Sequence, residues 1–122
     1  SPDGGSTWLL PRLIGMRRTQ ELLFENRELS APEAVEWGLA TRTVPKDTAR
    51  EAAIELAHQL SKGPTQAFAS TRRLLHTSLN NNFLTQTKLE TQEIGANMTG
   101  IDGQEGLDAF INKRLPVFSG KR

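Results

Sequence analysis

Apolar residues recur three and four positions apart through most of this chain, and that spacing constrains the fold more than any other feature. Ala52, Ala53, Leu56, Ala57 and Leu60 form the plainest stripe, behind an Asp47 or Thr48 able to cap the helix. Earlier, Ser6 or Thr7 can cap a short helix carrying Trp8, Leu9, Leu10, Leu13 and Ile14, which Gly15 ends. A second helix follows over about 17–26, with Leu22, Leu23 and Phe24 on its apolar side. Ser30-Ala31-Pro32-Glu33 reads as a capping box, hydroxyl and carboxylate three apart, opening a helix that stops at Gly38. Residues 65–79 predict a helix with Phe68, Leu75 and Leu79 on one side, broken by Asn80-Asn81-Asn82. Residues 83–98 predict a polar helix with few apolar residues (Phe83, Leu84, Ile94, Met98), so it is either solvated or in need of partner surface. Asp102-Gly103-Gln104-Glu105 reads as a second capping box, opening a helix to about Lys113 with Leu107, Phe110 and Ile111 inward, and Pro116 prevents its continuation.

Only residues 39–44 break the helical rhythm. They alternate in part, are β-rich at Thr41, Thr43 and Val44, and lie between Gly38 and Pro45, which predicts one short strand. The expected fold is therefore mainly α, with about seven helices and one strand. Gly63-Pro64 is the strongest breaker in the chain and the expected boundary between a 1–62 region and a 63–122 region.

The 122 residues suffice for one domain or part of a larger one. Fifteen Lys and Arg against fourteen Asp and Glu leave a net charge of +1, so no overall field draws the chain to nucleic acid or an anionic membrane. No apolar run approaches the roughly 20 residues of a membrane helix. Cysteine is absent, which excludes a disulfide scaffold, cysteine metal sites and a thiol nucleophile, and fits a reducing, cytoplasmic setting. The chain opens Ser1-Pro2-Asp3-Gly4-Gly5 without Met, as a processed start or a piece of a longer chain would.

Few residues advertise chemistry. The nucleophile-elbow, phosphate-loop and zinc-protease motifs are absent. His58 and His76 are isolated in helical segments without neighbouring ligands, so no metal site is expected. Arg12, Arg17 and Arg18 read as solvated helix charges or as phosphate contacts; Lys113, Arg114, Lys121 and Arg122, interleaved with Phe110 and Phe118, read as a soluble terminus or a nucleotide contact. Asp3 is either an ordinary turn residue or a carboxylate held beside a helix start, partly desolvated and poised for proton transfer.

The run Pro2-Asp3-Gly4-Gly5-Ser6-Thr7-Trp8-Leu9-Leu10-Pro11-Arg12-Leu13-Ile14-Gly15 resembles the enoyl-CoA hydratase/isomerase (crotonase) family. Later segments agree in order: Glu21-Leu22-Leu23, then Leu29-Ser30-Ala31-Pro32-Glu33-Ala34, then Trp37-Gly38-Leu39 and Val44-Pro45. The closing run from Glu105 to Gly120 agrees as well, with Gly106-Leu107-Asp108-Ala109-Phe110-Ile111-Asn112-Lys113-Arg114 at its centre. The resemblance extends over the whole chain and to about the C-terminal half of the family's usual length. It implies the C-terminal part of a ββα spiral fold, 1–62 as the edge of the core and 63–122 as a helical trimerisation and CoA-contacting region. The oxyanion-hole donors and most of the acyl-CoA cleft would then lie upstream.

By the same resemblance, Asp3 falls where isomerase-like branches place a catalytic acid, while Phe110 and Lys113 fall where the adenine and phosphate of CoA are met. An i,i+3 spacing would put that ring and ammonium on one helix face. The implied parent is an enoyl-CoA isomerase performing a 1,3-proton shift, nearest the ring-CoA isomerase of phenylacetate degradation. Its alternatives are an enoyl-CoA hydratase, a family dehalogenase in which an aspartate near this position acts as a nucleophile, or an inactive helical assembly module. The implied partners are an acyl-CoA thioester and further copies of the chain, as a trimer or dimer of trimers. No cofactor is implied beyond the coenzyme A of the substrate. The chain alone is expected to be inactive.

Overall fold

A computed structural model describes residues 1–121. Its helices are α1 (Ser6–Glu25), α2 (Ala31–Glu36), α3 (Ala49–Ser61), α4 (Thr65–Ser78), α5 (Phe83–Thr99) and α6 (Ile101–Ile111), with a 3-10 turn at Lys46–Thr48 before α3. They fall into two compact units, one Ser1–Ala49 and the other from Arg50 onward. Gly63-Pro64 lies inside the second unit, between α3 and α4. No helix among the described residues is long and apolar enough to cross a membrane.

In the first unit, α1 is continuous except at Gly15, whose φ of 80° and ψ of 159° lie outside the helical region. The two helices expected on either side of this glycine therefore abut rather than being joined by a loop. A side chain other than glycine would be strained at that φ. The buried Thr19 hydroxyl donates to the Gly15 carbonyl at 2.9 Å, meeting part of the hydrogen-bonding demand at the break. The Ser30 box forms as expected. Ser30 Oγ accepts from Glu33 N, and Glu33 Oε2 accepts from Ser30 N at 3.1 Å. Arg27 ties α1 to α2, donating from Nη2 to Glu21 at 2.9 Å and from Nη1 to Glu33 at 3.3 Å. Its guanidinium lies 4.9 Å from the Trp37 ring centre, and that of Arg18 lies 5.0 Å from the same ring.

The strand expected over 39–44 does not form; these residues are irregular. A strand needs ladder partners for its backbone groups, and no other strand forms among the described residues to supply them. Thr48 donates its hydroxyl to the Pro45 carbonyl at 3.0 Å within the 3-10 turn ahead of α3.

In the second unit, α5 packs on both α4 and α6. The α4–α5 pair is an antiparallel hairpin. Arg73 meets Glu93 at 2.9 Å, and Gln86 Nε2 donates to Leu74 O at 3.0 Å. Asn82 caps α5 by accepting from Thr85 N at 2.9 Å. α6 turns back on α5 at Gly100, which ends one helix and begins the next. A Cβ on Gly103 would collide with the Asn97 carbonyl oxygen and lie 2.8 Å from Met98 Cα, so the two backbones touch there.

Two expectations about the last helix are corrected. Gly100 is its N-cap, and Asp102 lies in its first turn rather than capping it. The Asp102 carboxylate instead accepts from Ser119 N at 2.6 Å, Ser119 Oγ at 2.9 Å and Gly120 N at 2.9 Å. The buried stripe of α6 runs through Asp102 and Ala109, so Leu107, Phe110 and Ile111 lie off it and are exposed. Likewise α4 buries Ser70 and leaves Phe68 and Leu75 exposed, with Leu79 exposed just beyond its end. The only apolar side chains buried among the described residues are Ile14 and Ala109.

Candidate active-site and CoA-contact residues

Asp3 sits on the turn that opens α1. Gly4 and Gly5 follow with φ of 58° and 82°, left-handed values at which glycine is not strained. Ser6 closes the turn, donating to the Asp3 carbonyl from its backbone N at 3.0 Å and from Oγ at 2.8 Å. The turn is thus locally determined, and it presents the Asp3 side chain to solvent. The partial desolvation expected of this carboxylate is not supplied by the described residues, because no element packs over the turn.

Phe110 and Lys113 come together at the C-terminal end of α6. Phe110 is 82% exposed and Lys113 is exposed. Their geometry differs from the expected helical pair, since α6 stops at Ile111 and Lys113 lies beyond it with a φ of +50°. Lys113 N donates to Phe110 O at 3.3 Å and Arg114 N to Ala109 O at 3.0 Å. These two bonds form a Schellman turn, in which the left-handed position is usually glycine. It is the reversed turn, then, that keeps the lysine backbone beside Phe110.

Arg114 anchors this end of the chain. Its Nη1 and Nη2 donate to the two oxygens of Glu105 at 2.6 and 2.7 Å, and Nη2 also donates to Asp108 at 2.6 Å. Glu105 further accepts from Val117 N at 2.7 Å. The Arg114 guanidinium and the Val117 amide stabilise the charged form and hold the Glu105 carboxyl down at about 2. The Ser119 amide, its hydroxyl and the Gly120 amide lower Asp102 in the same way. Gln66 Nε2 donates to Gly120 O at 3.0 Å, so residues 117–120 are fastened to α4 as well as α6. The spacing of Asp102 and Glu105 predicts a local cap, and Gly100 takes that place instead. The available signal was the acid spacing at 102, 105 and 108 ahead of Arg114, which admits folding back of the tail as readily as capping.

A separate open groove of about 1200 Å³ lies between α4, α5 and α6, with Phe118 on its wall. None of Asp3, Phe110 and Lys113 lines it. In it Arg73 donates to Glu93 and at 3.0 Å to the buried Ser70 hydroxyl. His58 and His76 are exposed on α3 and α4.

The profile of the enoyl-CoA hydratase/isomerase family matches residues 1–121. The chain is 36% identical over 120 residues to the 1,2-epoxyphenylacetyl-CoA isomerase of Escherichia coli K12, covering 98% of this chain and 46% of that one. It is 30% identical to 4-chlorobenzoyl coenzyme A dehalogenase-1 of an Arthrobacter species, over 93% of this chain and 41% of the relative. The crystal structure of an enoyl-CoA hydratase from Bacillus anthracis superposes with a TM-score of 0.88 at 34% identity, over 98% of this chain and 46% of that one. The chain therefore spans under half the length of these relatives.

Proposed function

This chain belongs to the enoyl-CoA hydratase/isomerase family, and from that premise we propose that it is the C-terminal part of an enoyl-CoA isomerase in which Asp3 moves the proton. The observation that carries the reading is the fold of the Asp3 turn. A carboxylate stands on a two-glycine corner at the start of α1, with its side chain uncommitted to other described groups. The similarity to the Escherichia coli isomerase, over 98% of the chain, supports the isomerase reading.

In this mechanism the thioester carbonyl is held by two backbone N–H donors from the upstream half. Removal of a proton beside the unsaturated chain gives an enolate, and Asp3 returns that proton two carbons along. Each oxyanion donor contributes about 2.7–4 kcal/mol, and a positioned base contributes about 10²–10⁴-fold. Negative charge gathers on the carbonyl oxygen, so the donors supply the larger share. Phe110 stacks on the adenine and Lys113 meets phosphate. The substrate is an acyl-CoA thioester, and its coenzyme A is the only cofactor-like group involved.

The small buried core supports a second part of the reading: the apolar faces of this chain pack against the upstream half and against further copies, as a trimer or a dimer of trimers. Catalytic donors and cleft are then absent from the isolated 122-residue chain, which is inactive. Two assays test these statements. A full-length enzyme given 3-enoyl-CoA should isomerise it, and Asp3→Asn should abolish turnover while leaving CoA-ester binding near normal; retained turnover removes Asp3 from the mechanism. Hydration of crotonyl-CoA without isomerisation would assign the hydratase instead. Sedimentation of the isolated chain should show self-association, and a strict monomer would count against the assembly role.

A further inference from the structure

We propose that Arg114 is a positioning residue for Lys113, holding the lysine in the reversed turn that keeps its backbone against Phe110, so that ammonium and ring can meet one ligand. The inference rests on the reading above that these two side chains meet the nucleotide end of coenzyme A.

Three observations support it. Lys113 adopts a φ of +50° at a position where glycine is the usual occupant. A side-chain-bearing residue keeps such a conformation only when its surroundings over-determine it. The surroundings here are specific. The next residue, Arg114, is bound through both terminal nitrogens to Glu105 and through one of them to Asp108, while Nη1 also donates to Leu115 O at 3.2 Å. Glu105 in turn holds Val117 N at 2.7 Å, so the chain just past Lys113 is pinned to the body of α6.

The two adjacent cations have opposite fates. The planar fork of Arg114 is consumed by two carboxylates of its own chain, a geometry that a lysine cannot reproduce. Lys113, by contrast, makes no ion pair among the described residues, and its backbone N–H is bonded to the carbonyl of Phe110, whose ring is 82% exposed. An arrangement of this kind suits a ligand that presents a flat heterocycle and a phosphate together.

The test measures binding of coenzyme A to the full-length enzyme by titration calorimetry, for Lys113→Gly, Arg114→Gln and the double variant. Glycine preserves the left-handed turn and removes the lysine side chain, ammonium included. Lys113→Gly should weaken binding about tenfold, the scale of one charge-assisted contact. Arg114→Gln should weaken it by a similar factor, and in turnover the change should fall on KM more than on kcat. The double variant should bind no worse than Lys113→Gly, because Arg114 then has no ammonium to place. Should Arg114→Gln fail to fold, Arg114→Lys, which keeps the charge and loses the fork, carries the same comparison.

Unchanged affinity in Lys113→Gly would overturn the CoA-contact reading itself. Weakened binding in Lys113→Gly with unchanged binding in the Arg114 variant would leave that reading standing and overturn the positioning role. Losses that multiply in the double variant would do the same, since Arg114 would then act on the fold at large.

Discussion

Lys113 holds a backbone conformation that costs an L-residue about 1–2 kcal/mol, and it does so one residue before an arginine bound to two carboxylates. Lys113→Gly should therefore raise stability by about 1 kcal/mol in urea unfolding even as it removes the proposed phosphate contact. A gain in stability coupled to a loss of binding is the signature of strain kept for function; a loss of stability would mean that the lysine stem packs usefully. Gly103 is the opposite case, since its constraint is space. A methyl group there would meet the backbone of Asn97 and Met98, and backbone cannot swing aside as a side chain can. Gly103→Ala should destabilise by about 1–3 kcal/mol, the usual scale of overpacking, and thermal unfolding would measure it.

Among the elements, α2 is short and depends on its start. The Ser30–Glu33 exchange of hydrogen bonds satisfies donors that six helical residues cannot satisfy among themselves. Ser30→Ala should cost about 1 kcal/mol and speed amide exchange at Glu33. The end of α6 depends instead on the returning tail. Asp102 accepts three hydrogen bonds from Ser119 and Gly120, so Asp102→Asn should release that segment. Amide exchange at Ser119 and Gly120 would then accelerate while the α4–α5 hairpin stays protected; continued protection at both amides would show that Gln66 and Phe118 suffice to hold the tail.

For the molecule as a whole, stability should fall on acidification in a defined window. Glu105, paired first of all with Arg114, titrates at about 2 against an ordinary 4.5. Asp102, bonded first of all to the Ser119 amide, is lowered as well. A folded-state value below the unfolded one means that the unfolded chain binds more protons in between, so stability rises with pH there. The contribution is complete above about 4.5 and fades as pH falls toward about 2. Urea midpoints measured across that window should decline with pH, and Glu105→Gln should flatten the decline. A decline of unchanged steepness in that variant would assign the effect to other carboxylates.

The sequence alone determined the helices of this protein, because their signals are local. Spacing of apolar residues, the Ser30 box, the Asn80-Asn81-Asn82 break and the Gly63-Pro64 break all act within a turn or two of chain, and each appears where it was expected. Membership of the family was legible for a related reason, since an ordered set of motifs survives without any knowledge of contacts. Partners distant in sequence were not legible. The strand at 39–44 had a plausible composition and no ladder partner; Asp102 had the spacing of a cap and bound a tail 17 residues away. Leu107, Phe110 and Ile111 looked like core, yet the buried stripe passed through Ala109. Only tertiary structure decides such matters, because a side chain's burial and its bonding partner depend on which surfaces meet, and local sequence carries no record of that meeting.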